Sequence, residues 1–491
     1  MFYRHGVKLV RVLVLAAVLQ SAHAAERLRA ITLIPTPLAG GYAVVVSEQT
    51  YTNSEWRAVV QTLLTKYQGT RLIKHSGGVE NAREALIKFK PRYTAFVAQP
   101  EEAGRDYVAA VHRLTRELDD DPYPDTMWGI LTGYSAHDVF RMVTNKTPLV
   151  IRKGAGGTAI PLDAFEEGVW YDEGKQGRKV VKLAGGQPQE QTAPADATEE
   201  LVAVFNQFKP DFFMTSGHAT ERDWQIGYAY KSGQFVCKDG VLYGKDTRRK
   251  TYRIDSPNPK IYLPAGNCLM GHIQDRQSMA LAFMGSGGVN QMIGYTVVTW
   301  YGYGGWGVRD YFFGTPGRLT FAEAFYCNQI ALNHELVSRF PATVGARFPS
   351  YEFEKDPQLL NRFAAQIGLR DRATAKDNLG LLWDRDVVAF YGDPAWEARL
   401  KAQPPEWVQV FNEKKGVFTF EVIARPDAAN SKPVAPSRPV IQLFPFRLKN
   451  IKVLEGAEYQ PVIMENFLLL GQPRQLERGK SYRVVFQAQK D

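Results

Sequence analysis

The feature that most constrains the fold is an alternation of short apolar runs with longer amphipathic stretches, which begins near residue 42. The apolar runs are rich in β-branched and aromatic residues and predict strands, whereas the amphipathic stretches have the apolar spacing of helices. Strands are predicted over residues 42–46, 70–74 and 93–97, and helices over residues 54–67, 79–89 and 105–118. Strands that alternate with helices form a parallel sheet with helices on its faces, so we predict an α/β fold.

A polar stretch at residues 119–125 interrupts this alternation and marks a predicted boundary between two α/β subdomains. Beyond it, a helix is predicted over residues 136–143, a loop over 184–196, and strands over 128–131, 149–152, 211–215, 261–263 and 292–298. Asp196 with Glu199, and Thr320 with Glu323, have the spacing of helix capping boxes. The second subdomain is therefore expected to continue the strand–helix architecture.

Helical patterns stop near residue 405. Short apolar runs separated by turn-forming residues follow over residues 416–424, 440–444, 451–454, 462–470 and 482–487. They predict a small Ig-like β-sandwich, with extra strands of the main sheet as the alternative. The predicted organisation is an export signal (1–24), an N-terminal α/β subdomain (25–118), a second, catalytic α/β subdomain (119–404) and the β-sandwich (405–491).

The N-terminal segment has the pattern of a secretory signal. Three basic residues precede an apolar run over residues 12–19, and Ala22 and Ala24 form a small-x-small cleavage site. The run is too short to span a membrane and no later stretch approaches about 18 apolar residues, so no transmembrane segment is predicted. We expect an exported protein, periplasmic, cell-surface or secreted, with a short anchored N-terminal helix as the alternative.

Charge and cysteine content exclude two classes of protein. The net charge of +9 over 491 residues comes without a long basic run, so we predict a solvated basic surface and no nucleic-acid binding. The three cysteines, Cys237, Cys268 and Cys327, are too few for a disulfide framework. A Cys237–Cys327 disulfide is a hypothesis that would leave Cys268 free, and Cα atoms more than about 7 Å apart would exclude it.

Cys268 and His218 are the candidate catalytic pair. Each follows the predicted end of a strand, and open parallel sheets bind ligands beyond the carboxyl ends of their strands. A thiol beside an imidazole is the nucleophile–base arrangement for acyl transfer. Gly217 and Gly266 let the backbone turn sharply at these strand ends. His272 is a rival base, and a small buried core residue is the structural alternative for Cys268.

No other motif predicts a required cofactor. Residues 302–307 match G-x-G-x-x-G, but a poor helix start follows, so we predict a cleft-lining loop. Tyr301, Tyr303 and Trp306 of this region are predicted to contact substrate. Zinc signatures and the Gly-x-Ser-x-Gly elbow are absent from the sequence. The aspartates at 119–121 are a candidate structural calcium site, with a solvated loop as the alternative.

Four segments in this order resemble the gingipain-type cysteine peptidases. Residues 216–224 are similar to the segment around that family's active histidine, residues 265–271 to its nucleophile segment, residues 287–294 to its next strand and residues 390–394 to its Gly-Asp-Pro ending. The resemblance covers residues 30–400, and a β-sandwich after the catalytic domain also fits the family. It implies a caspase-like fold and hydrolysis of peptide bonds in protein or peptide substrates.

The resemblance also implies individual roles. Cys268 would attack the carbonyl carbon, His218 would protonate the leaving amine, and the backbone N–H groups of Cys268 and Ala219 would form the oxyanion hole. Trp224, in the histidine segment, is a predicted substrate contact. The family usually has glycine after the histidine, and alanine resists positive φ. Ala219 therefore favours the alternative function, a catalytically inactive caspase-fold module that binds proteins or glycans at the cell surface.

Overall fold

The computed structural model of the protein describes residues 40–369, 371–426 and 433–491. The predicted export signal lies outside the described residues. Within them the chain has an α/β architecture built on one twelve-stranded, mostly parallel sheet with smaller antiparallel sheets beside it, which confirms the predicted fold class. No helix of these ranges is long and apolar enough to cross a membrane.

The first half of the large sheet has four strands with helices between them. Its elements are β1 (Tyr42–Ser47), α1 (Glu48–Thr52), α2 (Ser54–Lys66), β2 (Arg71–His75), α3 (Arg83–Phe89), β3 (Tyr93–Val97), α4 (Arg105–Arg116), β4 (Met127–Leu131) and α5 (Ala136–Thr144). Each predicted strand and helix of this half is present. Helix α2 begins after Asn53, whose side chain accepts hydrogen bonds from the first free N–H groups, and it buries its apolar face.

The second half carries the predicted catalytic strands. Its strands in the large sheet are β6 (Lys153–Gly156), β7 (Glu167–Tyr171), β8 (Arg178–Lys182), β9 (Gln189–Thr192), β10 (Phe212–Thr215), β15 (Lys260–Pro264), β16 (Val289–Tyr295) and β17 (Val388–Gly392). Two smaller sheets lie beside it: β5 (Leu149–Ile151) with β18 (Ala398–Leu400), and the antiparallel strands β11 (Asp223–Gln225), β12 (Gln234–Lys238), β13 (Val241–Lys245) and β14 (Thr251–Ile254). Its helices are α6 (Thr198–Ala203), α7 (Met279–Met284), α8 (Tyr303–Gly314), α9 (Phe321–Arg339), α10 (Ser350–Lys355), α11 (Pro357–Gln366) and α12 (Arg372–Arg385).

The C-terminal region forms two antiparallel sheets. Its strands are β19 (Trp407–Lys414), β20 (Val417–Ala424), β21 (Val440–Leu443), β22 (Leu448–Glu455), β23 (Pro461–Ile463), β24 (Phe467–Leu470) and β25 (Ser481–Lys490). One sheet has the order β19-β20-β25-β22 and the other β21-β24-β23. Alternate side chains of β20 are buried in a separate apolar core, the pattern expected of a sheet with one buried face.

The order of the large sheet places the carboxyl ends of both halves at one edge. The order is β2-β1-β3-β4-β17-β16-β15-β10-β6-β7-β8-β9. Arg105, at the start of α4 after β3, hydrogen-bonds His272, which lies beyond β15. Arg276 of the same segment donates to the carbonyl of Tyr134, which follows β4. These contacts join the strand ends of the first half to those of the second, and the site lies at this edge.

Long-range contacts explain two corrections to the sequence predictions. Residues 189–192 of the predicted loop form β9, an edge strand paired with β8. Asp196 does not form a capping box, since α6 begins after Ala197 and Glu199 accepts instead from the Tyr252 hydroxyl. The Asp196 carboxylate also accepts from the backbone N–H of Thr247, a contact that no local pattern shows. The capping box of Thr320 and Glu323 is confirmed.

Three further boundaries differ from the predictions. The strand expected over residues 292–298 is β16, which ends at Tyr295. Residues 302–307 begin helix α8 instead of forming a loop, because Gly302 adopts a φ of 86° and a buried carboxylate accepts from the first turn. Strand β19 was not predicted, and residues 462–470 form the hairpin strands β23 and β24 rather than one strand.

Candidate active site

Cys268 and His218 leave the same edge of the large sheet from neighbouring strands. Strands β10 and β15 pair in parallel with Thr215 opposite Pro264, and His218 and Cys268 follow these residues closely. Buried Asn267 ties the two turns together: its Oδ1 accepts from Thr215 Oγ1 at 2.6 Å, and its Nδ2 donates to the carbonyl of Gly217 at 3.1 Å. The two candidate residues therefore follow turns that are held against each other.

Cys268 has the surroundings of a reactive thiol rather than of a core residue. It is partly exposed and unpaired, and its Sγ accepts a hydrogen bond from the backbone N–H of Thr299 at 3.3 Å. A cysteine nucleophile needs a sulfur that solvent and substrate can reach. The next residue, Leu269, adopts a φ of 57°, a region that bulky residues rarely occupy. Strained backbone conformations of this kind are common at functional sites. At Leu269 the conformation is held by a hydrogen bond from its N–H to the carbonyl of Val297.

His218 lies exposed on the other turn. Its ring stacks on Tyr228 with centroids 4.8 Å apart, and its carbonyl accepts from the N–H of Gln225. Glu173 contacts the chain on both sides of this histidine, because its carboxylate accepts from Ser216 Oγ and its carbonyl accepts from the N–H of Tyr228. Among the described residues no hydrogen bond joins His218 to Cys268, a looser geometry that is common before substrate binds.

The backbone N–H groups of both predicted oxyanion-hole residues are free among the described residues. Neither Cys268 nor Ala219 donates its N–H to another residue of the described ranges. The left-handed turn of this segment falls on Gly217, with a φ of 86°, whereas Ala219 has no positive φ and pairs with Trp224 in an antiparallel bridge. The alanine after the histidine therefore imposes no backbone strain, and the distortion expected of Ala219 is absent.

The four predicted substrate contacts differ in whether the structure leaves them accessible. Trp224 is completely buried and its Nε1 donates to the carbonyl of Ser216, so the prediction that it contacts substrate is wrong. Its ring fills the space beside Gly157, where any side chain would collide with it. The local sequence is the same whether a tryptophan near the histidine is exposed to substrate or buried beneath the turn. The sequence therefore could not distinguish the two, which explains the error.

The other three predicted contacts have different surroundings, and Trp306 is the one that packs against the nucleophile turn. Trp306 lies against Gly266, two residues before Cys268. Tyr301 donates to Asp377 at 3.1 Å, and Tyr303 lies under the Arg438 guanidinium at 4.0 Å from its ring centroid. Their contact with substrate stays a prediction.

Sequence reasoning missed Trp300 and Glu173. Trp300 follows the Thr299 N–H that contacts Cys268 Sγ, is 41% exposed, and meets Trp383 edge-on at 5.6 Å. An exposed tryptophan beside a candidate nucleophile is a better substrate contact than buried Trp224. The signal that could have indicated Trp300 is its place just after the apolar run of residues 292–298, at the end of a predicted strand. Glu173 lies in a polar turn far along the chain, and no motif singles it out.

The rival histidine and the other cysteines are structural. His272 lies against the Arg105 guanidinium, Nε to Nε2 3.0 Å, and burial together with Arg105 lowers its pKa to about 4, which leaves it a neutral packed ring. Cys237 donates to the carbonyl of Gln277, and burial raises the pKa of its thiol to about 11. Cys327 is buried, and both cysteines are free, so the hypothesis of a Cys237–Cys327 disulfide is wrong.

The candidate calcium site lies at the junction with the β-sandwich. Carboxylate oxygens of Asp119, Asp121 and Glu465 lie within 4.8 Å of one another. Hard oxygen ligands suit Ca²⁺, and burial raises the pKa of Asp121 to about 7. The residues fit such an ion, and calcium binding stays a prediction.

Comparison with known proteins adds little to this geometry. The sequence matches no protein-family model and no curated protein. One solved structure, described as "Structure of Protease", is similar with a TM-score of 0.39 and 9% identity over 92% of this chain and 97% of that chain. A similarity this distant does not identify a family, so the resemblance to gingipain-type peptidases stays a prediction.

Proposed function

We propose that the protein is an exported cysteine endopeptidase that hydrolyses peptide bonds through Cys268 and His218. The observation that carries this proposal is the partly exposed Cys268 sulfur, which accepts the Thr299 N–H at 3.3 Å beside two free backbone N–H donors. An activated nucleophile next to unpaired donors is the arrangement that acyl transfer requires. Protein or peptide substrates follow from this chemistry, and export follows from the signal pattern of residues 1–24.

The proposed reaction proceeds through an acyl-enzyme. Cys268 thiolate attacks the carbonyl carbon of the scissile bond, and the resulting oxyanion accepts from the N–H groups of Cys268 and Ala219. Protonated His218 donates its proton to the leaving amine as the C–N bond breaks. A water molecule, deprotonated by His218, then attacks the thioester, releases the carboxylate product and restores the thiol. Each step moves one proton through the imidazole and needs no other reactant.

Three neighbours support this assignment without taking part in bond changes. Glu173 fixes the backbone on both sides of His218 through Ser216 and Tyr228. Tyr228 and Trp300 expose 56% and 41% of their surfaces on the His218 and Cys268 sides. Exposed aromatic rings on either side of a nucleophile bind extended peptide through apolar contact, so we assign them to substrate binding.

A second candidate function is a catalytically inactive caspase-fold module that binds proteins or glycans. The same exposed rings, Tyr228 and Trp300, favour it, because aromatic platforms bind both ligands. It differs from the peptidase in one respect: Cys268 would react no faster than an ordinary exposed thiol.

Covalent labelling followed by intact mass tests the proposal. Purified protein is incubated with peptidyl acyloxymethyl ketones that end in Arg, Lys, Asp, Asn or a small apolar residue, beside the Cys268→Ala variant. One adduct, selective for one probe and absent from the variant, supports the peptidase and reveals its residue preference. No adduct from folded protein, together with slow alkylation of Cys268 by iodoacetamide, supports the binding module and overturns the catalytic proposal.

A further inference from the structure

The active-site loop, defined as residues 296–302, supplies the N–H donor of Thr299 and carries Trp300. Its first residues bond to neighbouring strand ends, the N–H of Thr296 to the carbonyl of Val387 and the carbonyl of Val297 to the N–H of Leu269, and helix α12 packs on its outer side. Trp383 of that helix donates its Nε1 hydrogen to the carbonyl of Val298 at 3.0 Å. One turn earlier, Gly380 lies against the ring of Tyr301, where a larger side chain would collide. Because the donor to Cys268 is a backbone group, its position depends on what holds this loop.

Asp384, also on α12, holds both ends of the loop at once. It is completely buried, and its Oδ2 accepts from the Tyr295 hydroxyl at 3.0 Å and from the N–H of Gly304 at 2.9 Å. The Tyr295 hydroxyl in turn accepts from the N–H of Gly305 at 3.0 Å. Tyr295 directly precedes the loop, and Gly304 lies in the helical turn that follows it. One carboxylate therefore connects the end of β16 to the start of α8.

The start of α8 is also packed against the nucleophile strand. A Cβ atom on Gly305 would lie 2.0 Å from the carbonyl oxygen of Ala265, so only glycine permits this approach. Trp306, the next residue, lies against Gly266. The turn that Asp384 caps thus touches the two residues that lead into Cys268. A shift at Asp384 would move both the loop that donates to the sulfur and the helix behind it.

We infer that Asp384 is a positioning residue for Cys268: it fixes both ends of the active-site loop and so keeps the Thr299 N–H on the sulfur. The inference deepens the proposed function and depends on Cys268 being the reacting group. Among the described residues no ion pair reaches this carboxylate, whose hydrogen-bond donors are the Tyr295 hydroxyl and the Gly304 N–H. Asp384 therefore holds the loop through hydrogen bonds rather than through an ion pair.

The structure offers a conservative variant and a matched control. Asp384 Oδ1 has no hydrogen-bond partner among the described residues, so asparagine keeps both accepted bonds by placing its carbonyl where Oδ2 lies. Alanine removes both. Asp393 is also a buried carboxylate that accepts from two tyrosines, Tyr42 and Tyr67, but it follows β17 at the opposite edge of the sheet. Asp393→Ala removes similar bonds, and in addition an ion pair with Lys66 at 2.9 Å, far from the site.

The test measures the rate of Cys268 alkylation by iodoacetamide against pH, by peptide mass, and checks folding by circular dichroism. We expect Asp384→Ala to lower the rate by about tenfold throughout the pH range, since the Thr299 N–H is no longer held on the sulfur. Asp384→Asn stays within about threefold of the wild type. Tyr295→Phe, which leaves the carboxylate in place, gives a smaller loss in the same direction and serves if the alanine variant does not fold.

Asp393→Ala is expected to lower the melting temperature and to leave the alkylation profile unchanged. An unchanged profile in Asp384→Ala or in Tyr295→Phe, or an equal loss in Asp393→Ala, overturns the inference. Failure of the peptidase proposal is distinguishable, because it shows as a wild-type Cys268 that no peptidyl ketone labels, whereas the alkylation profiles need only a thiol.

Discussion

The two halves of the large sheet present polar strand ends at the same edge, yet they differ in how those groups are bonded. In the first half, Ser47 and Thr50 both donate to the Glu102 carboxylate, at 3.0 and 2.5 Å. In the second half, the N–H groups of Cys268 and Ala219 donate to no described residue. A polar cluster that satisfies itself stabilises the fold, whereas donors left free at an exposed strand end are available to a substrate. The first half also leaves His75 Nε2 and Thr132 Oγ1 without partners among the described residues, so free hydrogen-bonding groups alone do not mark a site. The combination of free backbone donors with a partly exposed thiol distinguishes the candidate site.

The largest effect expected from this comparison is that of Cys268→Ala. Loss of the sulfur removes the nucleophile, so we expect no detectable probe adduct and no peptide hydrolysis. Intact mass after incubation with the selective acyloxymethyl ketone measures the first and release of a fluorogenic peptide the second. Cys237→Ser is the control, because Cys237 has a satisfied donor and should keep full labelling. An adduct on the Cys268→Ala protein would contradict the assignment.

His218→Ala should have the next largest effect. Without the imidazole the leaving amine has no proton donor, so we expect hydrolysis to fall by about 10²–10⁴-fold. Tyr228→Phe retains the ring that stacks on His218 and should stay within about threefold. Steady-state hydrolysis of the preferred peptide measures both. An unchanged rate in His218→Ala, or an equal loss in Tyr228→Phe, would contradict the role given to the imidazole.

A pair of carboxylate variants compares the two halves directly. Glu102→Ala leaves the Ser47 and Thr50 hydroxyls without their acceptor, so we expect about 1–3 kcal/mol lower stability and an unchanged labelling rate. Glu173→Ala should lower the labelling rate by about tenfold, since it loosens the backbone around His218. Urea unfolding and the rate of probe labelling measure the two effects. A labelling defect in Glu102→Ala would remove the distinction between the halves.

The junction with the β-sandwich holds a buried carboxylate, Asp125, whose burial outweighs its ion pair with Arg447 at 3.6 Å. Burial, and then Asp119, raise the pKa of Asp125 to about 9. Its stabilising contribution is therefore fully present below the unfolded pKa of about 3.9 and is lost as pH rises through 9.

When the pH is lowered from 9 to 6.5, we expect the melting temperature of the wild type to rise by roughly 2–4 °C. In Asp125→Asn we expect a smaller rise, because the titrating carboxyl is gone. Differential scanning calorimetry measures it, and the window stays above the range in which His112, whose pKa burial lowers to about 4, has the opposite effect. A wild-type melting temperature that falls over this window would contradict the burial argument.

The smallest effect should come from Ala219→Gly. If alanine distorted the oxyanion hole, glycine would restore it and raise the rate. Because Ala219 has no positive φ and Gly217 carries the left-handed turn, we expect a change of less than about threefold. The rate of labelling by the selective probe measures it. A large gain would show that the backbone at Ala219 is strained after all.

Much of the fold followed from local pattern. The strands and helices of the first half agree with the sequence predictions, because apolar periodicity there is set by which faces are buried. Predictions failed where a distant contact decided the outcome. Glu199 bonds Tyr252 rather than completing a capping box, and residues 302–307 form a helix because Asp384 caps them. Trp224 was assigned to the surface, yet the packing of two sheets buries it completely.

The sequence alone determined that this chain alternates strands and helices, and that His218 and Cys268 follow neighbouring strand ends, since hydrophobic period and turn residues are properties of adjacent positions. Tertiary structure alone decided which groups surround them. Thr299 contacts Cys268 through its backbone N–H, which every residue type except proline has, so the sequence does not indicate this contact. The Asp384 carboxylate accepts a hydrogen bond from Gly304, about 80 residues away in the chain. Hydrogen-bond partners distant in sequence are selected by packing, and packing is not a local property of the chain.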